Sequence, residues 1–213
     1  MVMKTIVVWN PKGGCGKSTA TVHLALAAEL MGDGPALICD VDEQGTTADW
    51  HNDRQKQQLK GPGYAPLTVA TLKDQIAQLS AAGAAYLFID MKAGVGPSDD
   101  AILEQADRVL IPLNPKSADM KALNKKMPAV RKSGKPFTFL LSRCRHNLRT
   151  NASTSAALGV LSQVVPTLMY EREIYSDTFG HGLTAFELEP NGSAANDVRS
   201  IWREFKQQLE TKN

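Results

Sequence analysis

The chain has 213 residues, of which 43% are hydrophobic and 22% charged, and its formal net charge is +2. This balance predicts one globular domain over residues 1–213 and excludes a disordered or low-complexity chain; no apolar run approaches the ~18–20 residues that cross a bilayer. The three cysteines, Cys15, Cys39 and Cys144, are far apart and form no C-x-x-C pair, which argues against a disulfide framework or zinc site and fits a reducing cytoplasm.

The first predicted element is a strand over Thr5–Trp9. Its short apolar run meets a glycine loop, where a secretory signal would continue into a longer apolar core. The loop reads Asn10-Pro11-Lys12-Gly13-Gly14-Cys15-Gly16-Lys17-Ser18-Thr19, and the first predicted helix, 17–31, opens within it. Strand, glycine loop and helix in this order form the context of a phosphate-binding P-loop. Glycines let backbone N–H groups turn inward on phosphate oxygens, and the helix N-terminus adds partial positive charge. The expected nucleotide cradle is therefore Lys12, Gly13, Gly14, Cys15, Gly16, Lys17, Ser18 and Thr19. Lys17 is expected to reach the β- and γ-phosphates, and the Ser18 hydroxyl to ligate Mg²⁺. Two features are unusual. Pro11 stands where the general pattern has its first glycine, and a second lysine, Lys12, lies inside the loop.

A second strand is predicted over 36–40, ending in Asp40-Val41-Asp42-Glu43-Gln44, and a helix over 46–59 follows. Strands over 67–70 and 86–90 flank a helix over 71–82. The second of these strands, Tyr86-Leu87-Phe88-Ile89-Asp90, is apolar until its last residue. Ligands of a parallel sheet lie beyond the C-terminal strand ends, which makes Asp40, Asp42 and Asp90 candidates for the metal and the attacking water. Each could equally be a turn former or a helix cap. Lys92 has two readings, exposed to solvent or near the γ-phosphate side. Next come a helix over 98–105, a strand over 108–113 and a helix over 117–132, which Pro128 is expected to kink or divide. A strand over 136–141, a helix over 150–161, a strand over 164–169 and a last helix over 194–209 complete the chain. Short, nearly continuously apolar strands alternating with helices predict an α/β fold: a mostly parallel twisted sheet with helices on both faces.

Charge is segregated. From Lys116 to Thr150, ten Lys or Arg residues face one acid, Asp119, leaving 14 bases against 21 acids elsewhere. Such a region can attract polyanions. At 100° per residue, Lys121, Lys125 and Lys132 fall on one side of the predicted helix. Arg143, Arg145 and Arg149 follow the next strand, and all six are candidate DNA contacts giving salt-sensitive, sequence-independent binding. A solvated basic face with no partner is the bland alternative. Guanine specificity usually carries N-K-x-D; the nearest text, Asn124-Lys125-Lys126-Met127, lacks the aspartate. ATP is the expected nucleotide, with base contacts from the loops around 142–145 and 170–172.

The K-G-G-x-G-K-[ST] form of the loop resembles the deviant Walker A motif of the ParA/MinD family of ATPases. The resemblance implies that Lys12 reaches across a dimer interface to the partner's nucleotide. Asp40-Val41-Asp42-Glu43-Gln44 resembles the family's D-x-D-P-Q segment, with Glu43 in place of proline. By that likeness Asp42 positions or activates the attacking water and Asp40 supports the metal site, while Asp90 resembles a Walker B aspartate holding Mg²⁺. Asp107-Arg108-Val109-Leu110-Ile111-Pro112-Leu113 is similar to another family strand, and residues 182–197 to the closing segment of short members. The nearest likeness is to small ParF-like plasmid-partition proteins, with no room before the loop for the DNA-binding extension of longer ones. It implies catalytic roles for Lys12, Lys17 and Asp42, an ATP-dependent homodimer that binds DNA without sequence preference or polymerises, and a centromere-binding or adaptor protein that stimulates hydrolysis in the cytoplasm, on the nucleoid.

The rival readings are a MinD-like membrane switch, a metabolic enzyme on the same scaffold, an iron–sulfur reductase, and a relative positioning chemoreceptor arrays, carboxysomes or conjugation complexes. The membrane reading draws on an apolar stripe, Val198, Ile201, Trp202, Phe205 and Leu209. Glu204 and Glu210 interrupt the positive charge wanted against anionic lipid, so docking of this helix on the domain is expected, without stable membrane association.

Overall fold

The computed structural model describes residues 2–42, 44–94, 96, 98–146 and 148–211. Its strands are β1 (Lys4–Val8), β2 (Ala36–Asp40), β3 (Gly63–Tyr64), β4 (Tyr86–Asp90), β5 (Arg108–Leu113), β6 (Phe137–Cys144), β7 (Gln163–Val164) and β8 (Met169–Tyr170). They pair in the order β3-β2-β4-β1-β5-β6-β7, with β8 also on β6, and every described pairing is parallel. Parallel neighbours need crossovers. These run through α1 (Lys17–Leu30), α2 (Thr46–Lys56), α3 (Leu72–Ala81), α4 (Asp99–Leu103), α5 (Ser117–Lys132) and α6 (Arg149–Gly159), followed by α7 (Glu173–Phe179), α8 (Ala185–Leu188) and α9 (Ser193–Glu210). The expected parallel α/β sheet is observed.

β1 is central, and side-chain alternation along it divides the core. Ile6 and Val8 pack with Leu24 of α1, Phe88, Trp202 and Phe205 on one face. Val7 and Trp9 pack with Ile111, Leu123 and Met127 of α5 and Leu158 of α6 on the other. The apolar stripe of α9 is buried against the first face. Trp202 lies edge-on to Tyr86, ring centroids 4.9 Å apart, and its indole N–H donates to Asp33 at 2.8 Å. The stripe therefore belongs to the core, with burial worth about 1.5–3 kcal/mol for a large apolar side chain.

Three expectations need correction. Residues 67–70 form no strand; the outer contact is the two-residue β3, bounded by Pro62 and Pro66, which offer no N–H to a ladder. The strand expected over 164–169 is split into β7 and β8, with Pro166 between them. α5 continues through Pro128, which is exposed, so the backbone acceptor its missing N–H leaves behind can face water. Sequence reading also passed over α7 and α8. The second had a legible signature, the capping box Thr184-Ala185-Phe186-Glu187. The Thr184 hydroxyl accepts from the Phe186 amide at 3.2 Å, and the Glu187 carboxylate accepts from the Thr184 amide at 2.9 Å.

Candidate nucleotide site

Connections divide around β1: the one after it leads toward β2, whereas the chain after β5 goes to the opposite edge. A crevice beyond the strand ends at such a point is where α/β sheets take ligands. Residues 10–16 curl over the end of β1. Asn10 ties the curl down, its side-chain amide donating to Pro112 O at 2.7 Å and its side-chain oxygen accepting from the Lys12 amide at 2.9 Å. Gly94 N–H donates to Pro11 O at 2.8 Å. Gly14 and Gly16 have φ of +70° and +91°, left-handed values that a side chain resists. Gly16 is also the residue from which α1 starts.

The two lysines part company. Lys17 is 8% exposed, and its ammonium lies 3.4 Å from Lys12 O, inside the curl. Lys12 turns away and pairs with Asp119 on α5; its side chain keeps 44% of its exposure. Asp119, the one acid in the basic stretch, was the available signal for this contact.

The aspartates also differ. Asp90 is 2% exposed and ends β4 beside Val8 and Asp40 in register. Its Oδ2 accepts from the Thr47 hydroxyl at 3.3 Å, while Oδ1 is buried with no partner among the described residues. Burial pushes this carboxyl up to about 7, against the lowering influence of the Ser18 hydroxyl and Lys17. A buried carboxylate oxygen without a partner, beside the Ser18 hydroxyl, fits a divalent cation or its water. Among the described residues no three His, Cys, Asp or Glu side chains gather to hold a metal by themselves, so phosphate oxygens would complete such a site. Asp40 is occupied otherwise. Its Oδ1 accepts from the Asp42 amide at 2.9 Å, and its Oδ2 accepts from the Thr47 and Ala48 amides at 2.7 and 3.2 Å, at the start of α2. In this arrangement Asp40 holds the turn into α2. Asp42 faces the cavity, with Oδ1 accepting from the Gln44 amide at 3.0 Å. Glu43, the replacement for the usual proline, lies outside the described residues.

The cavity has a volume of about 870 Å³. It is lined by the glycine loop, Lys17, Ser18, Thr19 and Asp42, and by the segment 169–180, where Met169, Tyr170, Tyr175 and Phe179 mix with the charged Glu171, Arg172 and Glu173. Ser142 and Arg143 lie along it, so the segments expected near the base do border one cavity. Cys15 is buried, and burial raises its thiol above the usual range; only its backbone can serve a phosphate.

The six candidate DNA contacts do not form one patch. Lys121 and Lys125 line a smaller basic groove of about 500 Å³ with Pro11, Lys12 and Lys126. Lys132 pairs with Asp100 at 2.5 Å, and Arg145 with Glu171 at 3.4 Å. Arg149 is exposed at the start of α6. Arg143, half exposed, reaches the glycine loop, donating to Gly14 O at 2.9 Å, and pairs with Glu171 at 3.0 Å. Lys92 folds over Gly96, where an added Cβ would sit 2.9 Å from its ammonium, and its charge acts on Asp99.

A family model described as AAA domain matches residues 3–80. The chain is 26% identical over 214 aligned positions to the maintenance of carboxysome distribution protein A of Halothiobacillus neapolitanus, covering 94% of this chain and 95% of that one. Among solved structures, the septum site-determining protein MinD of Pyrococcus horikoshii OT3, complexed with Mg-ADP, gives a TM-score of 0.76 at 15% identity over 98% of both chains. A Borrelia burgdorferi protein described as a plasmid partition protein, bound to AMPPNP, gives 0.73 at 18% identity over 97% of this chain and 99% of that one.

Proposed function

We propose that the chain is a ParA/MinD-like P-loop ATPase, an ATP-hydrolysing switch that dimerises around nucleotide and distributes a cargo over DNA; the nearly full-length similarity to a carboxysome distribution protein and the fold shared with nucleotide-bound solved structures support this reading. The observation that carries the reading is the opposed placement of two lysines in one glycine loop. Lys17 points into the phosphate site. Lys12 points out of it, partly exposed, where a second subunit could receive it. A cation delivered to the partner's triphosphate would offset negative charge developing in the transition state.

In this reading the loop amides from Lys12 to Thr19 hold the phosphates and Lys17 neutralises the terminal ones. Ser18 and Asp90 would hold Mg²⁺, which on binding screens the phosphate charge. Asp42 orients the attacking water. ATP is the substrate, since no guanine motif is present and Tyr170, Tyr175 and Phe179 offer aromatic faces in the cavity. Plasmid DNA is the cargo proposed first, with a centromere-binding protein as the stimulating partner, the basic groove of Lys121 and Lys125 as the main DNA contact and the exposed Arg145 and Arg149 as separate ones. A second cargo, the carboxysome, is favoured by the nearly full-length similarity to a carboxysome distribution protein. The membrane rival loses its motivating feature, since the α9 stripe is buried. No described helix is long and apolar enough to cross a membrane.

The decisive experiment measures duplex DNA binding and oligomeric state with ADP, ATP and a slowly hydrolysed ATP analogue. Dimers and DNA binding are expected with ATP and the analogue, and neither with ADP. Equal behaviour in all three states would overturn the switch.

A further inference from the structure

Two neighbouring residues of β6, both bordering the cavity, bond to carbonyls of the glycine loop. The Ser142 hydroxyl donates to Cys15 O at 2.5 Å, and the Arg143 guanidinium donates to Gly14 O at 2.9 Å. Successive residues of a regular strand point to opposite faces. Here they act on the same loop because the β6–β8 register shifts between Ser142 and Cys144, and Arg143 takes a left-handed φ of 52°. A non-glycine residue in that region is strained, and a bulge commonly re-aims a side chain beside a functional site. Glu171, carried by the segment after β8, holds the guanidinium from the other side.

We infer that Ser142 and Arg143 are positioning residues of the phosphate loop: together they fix two consecutive carbonyls and thereby aim the next two amides at the nucleotide. The geometry follows from the trans peptide, in which the C=O of one residue and the N–H of the next point in opposite directions. Fixing Gly14 O on Arg143 turns the Cys15 N–H away from that contact, and fixing Cys15 O on Ser142 does the same for the Gly16 N–H. An anion-holding loop without such restraint would lose entropy on ordering its amides. Ser142 is fully buried, so its hydroxyl is committed to this contact. The inference rests on the proposal that nucleotide phosphates occupy the loop.

The test uses the full chain with fluorescent ATP and ADP analogues. It compares the wild type with Ser142→Ala, Arg143→Ala and Arg143→Lys, measuring dissociation constants, kcat, KM and thermal unfolding. One hydrogen bond lost in each of the alanine variants is expected to weaken both nucleotides by about 3- to 10-fold. KM should rise in step while kcat stays within about twofold, because the amides hold ground and transition states alike. Arg143→Lys, which keeps a donor, should recover part of the affinity. Arg143→Ala should leave the unfolding midpoint unchanged, since its side chain is half exposed. Wild-type affinity in both alanine variants would overturn the positioning role, as would a loss of DNA binding alone in Arg143→Ala. A wild type that takes up neither nucleotide would instead overturn the nucleotide assignment itself.

Discussion

Lys12 and Lys17 are five residues apart, yet they serve different surroundings. Replacing Lys12 by alanine should leave monomeric nucleotide binding largely intact and abolish ATP-dependent dimers; size-exclusion chromatography with ATP reads this directly, and dimers as abundant as wild type would remove Lys12 from the interface. His23, nearly two turns into α1, behaves differently again. Its Nδ1 lies 2.9 Å from Thr19 O and its Nε2 accepts from the Ala185 amide at 3.2 Å, while Tyr175 meets the ring edge-on. Burial lowers its pKa to about 4 from 6.5. A depressed pKa favours the neutral ring, so its contribution to stability is complete above about 6.5 and is lost as pH falls toward 4. Over that window it amounts to on the order of 3 kcal/mol. Denaturation titrations from pH 7.5 to 4 should show this slope, and His23→Gln should flatten it. The glycine loop was legible because its signature is local to a motif. The Lys12–Asp119 pairing, Glu171 and the turn of Arg143 toward the loop were not, because each depends on elements brought together from more than 25 residues away.

At the scale of elements, regular hydrophobic spacing read well and proline-bounded edges did not. α9 was foreseen because positions 198, 201, 202, 205 and 209 follow a helical period, and the structure spends that stripe on the core. Trp202→Ala should therefore destabilise the fold by about 3–5 kcal/mol, lowering the thermal midpoint by on the order of 10 °C. A variant melting with the wild type would mean that α9 is not part of the core. The outer strands beside β2 and β6 are only two residues long, and apolar text such as 67–70 has no signature separating a short strand from a buried loop. α8 lies in a stretch, 182–197, read by resemblance, where its capping box is the local signal.

For the whole molecule, segregation of charge matters more than its sum. The basic stretch spans the sheet from α5 to α6, but Lys132 and Arg145 meet acids at its margins, and these exposed pairs are worth little. Lys121→Glu together with Lys125→Glu should reduce DNA affinity and shallow its dependence on salt, whereas Lys132→Glu alone should do less. Filter-binding or anisotropy titrations at two or more salt concentrations distinguish these outcomes; an unaltered salt slope in the double variant would move the DNA surface off α5.

β1 lies between β4 and β5, and its residues Ile6, Val7 and Val8 have no exposure. Its amides can exchange with solvent only when the whole sheet comes apart. Under the proposed hydrolysis, a departing terminal phosphate would leave so firmly set a root in place, and movement would fall to the ends of β2 and β4, which Thr47 links by bonding to Asp40 and Asp90.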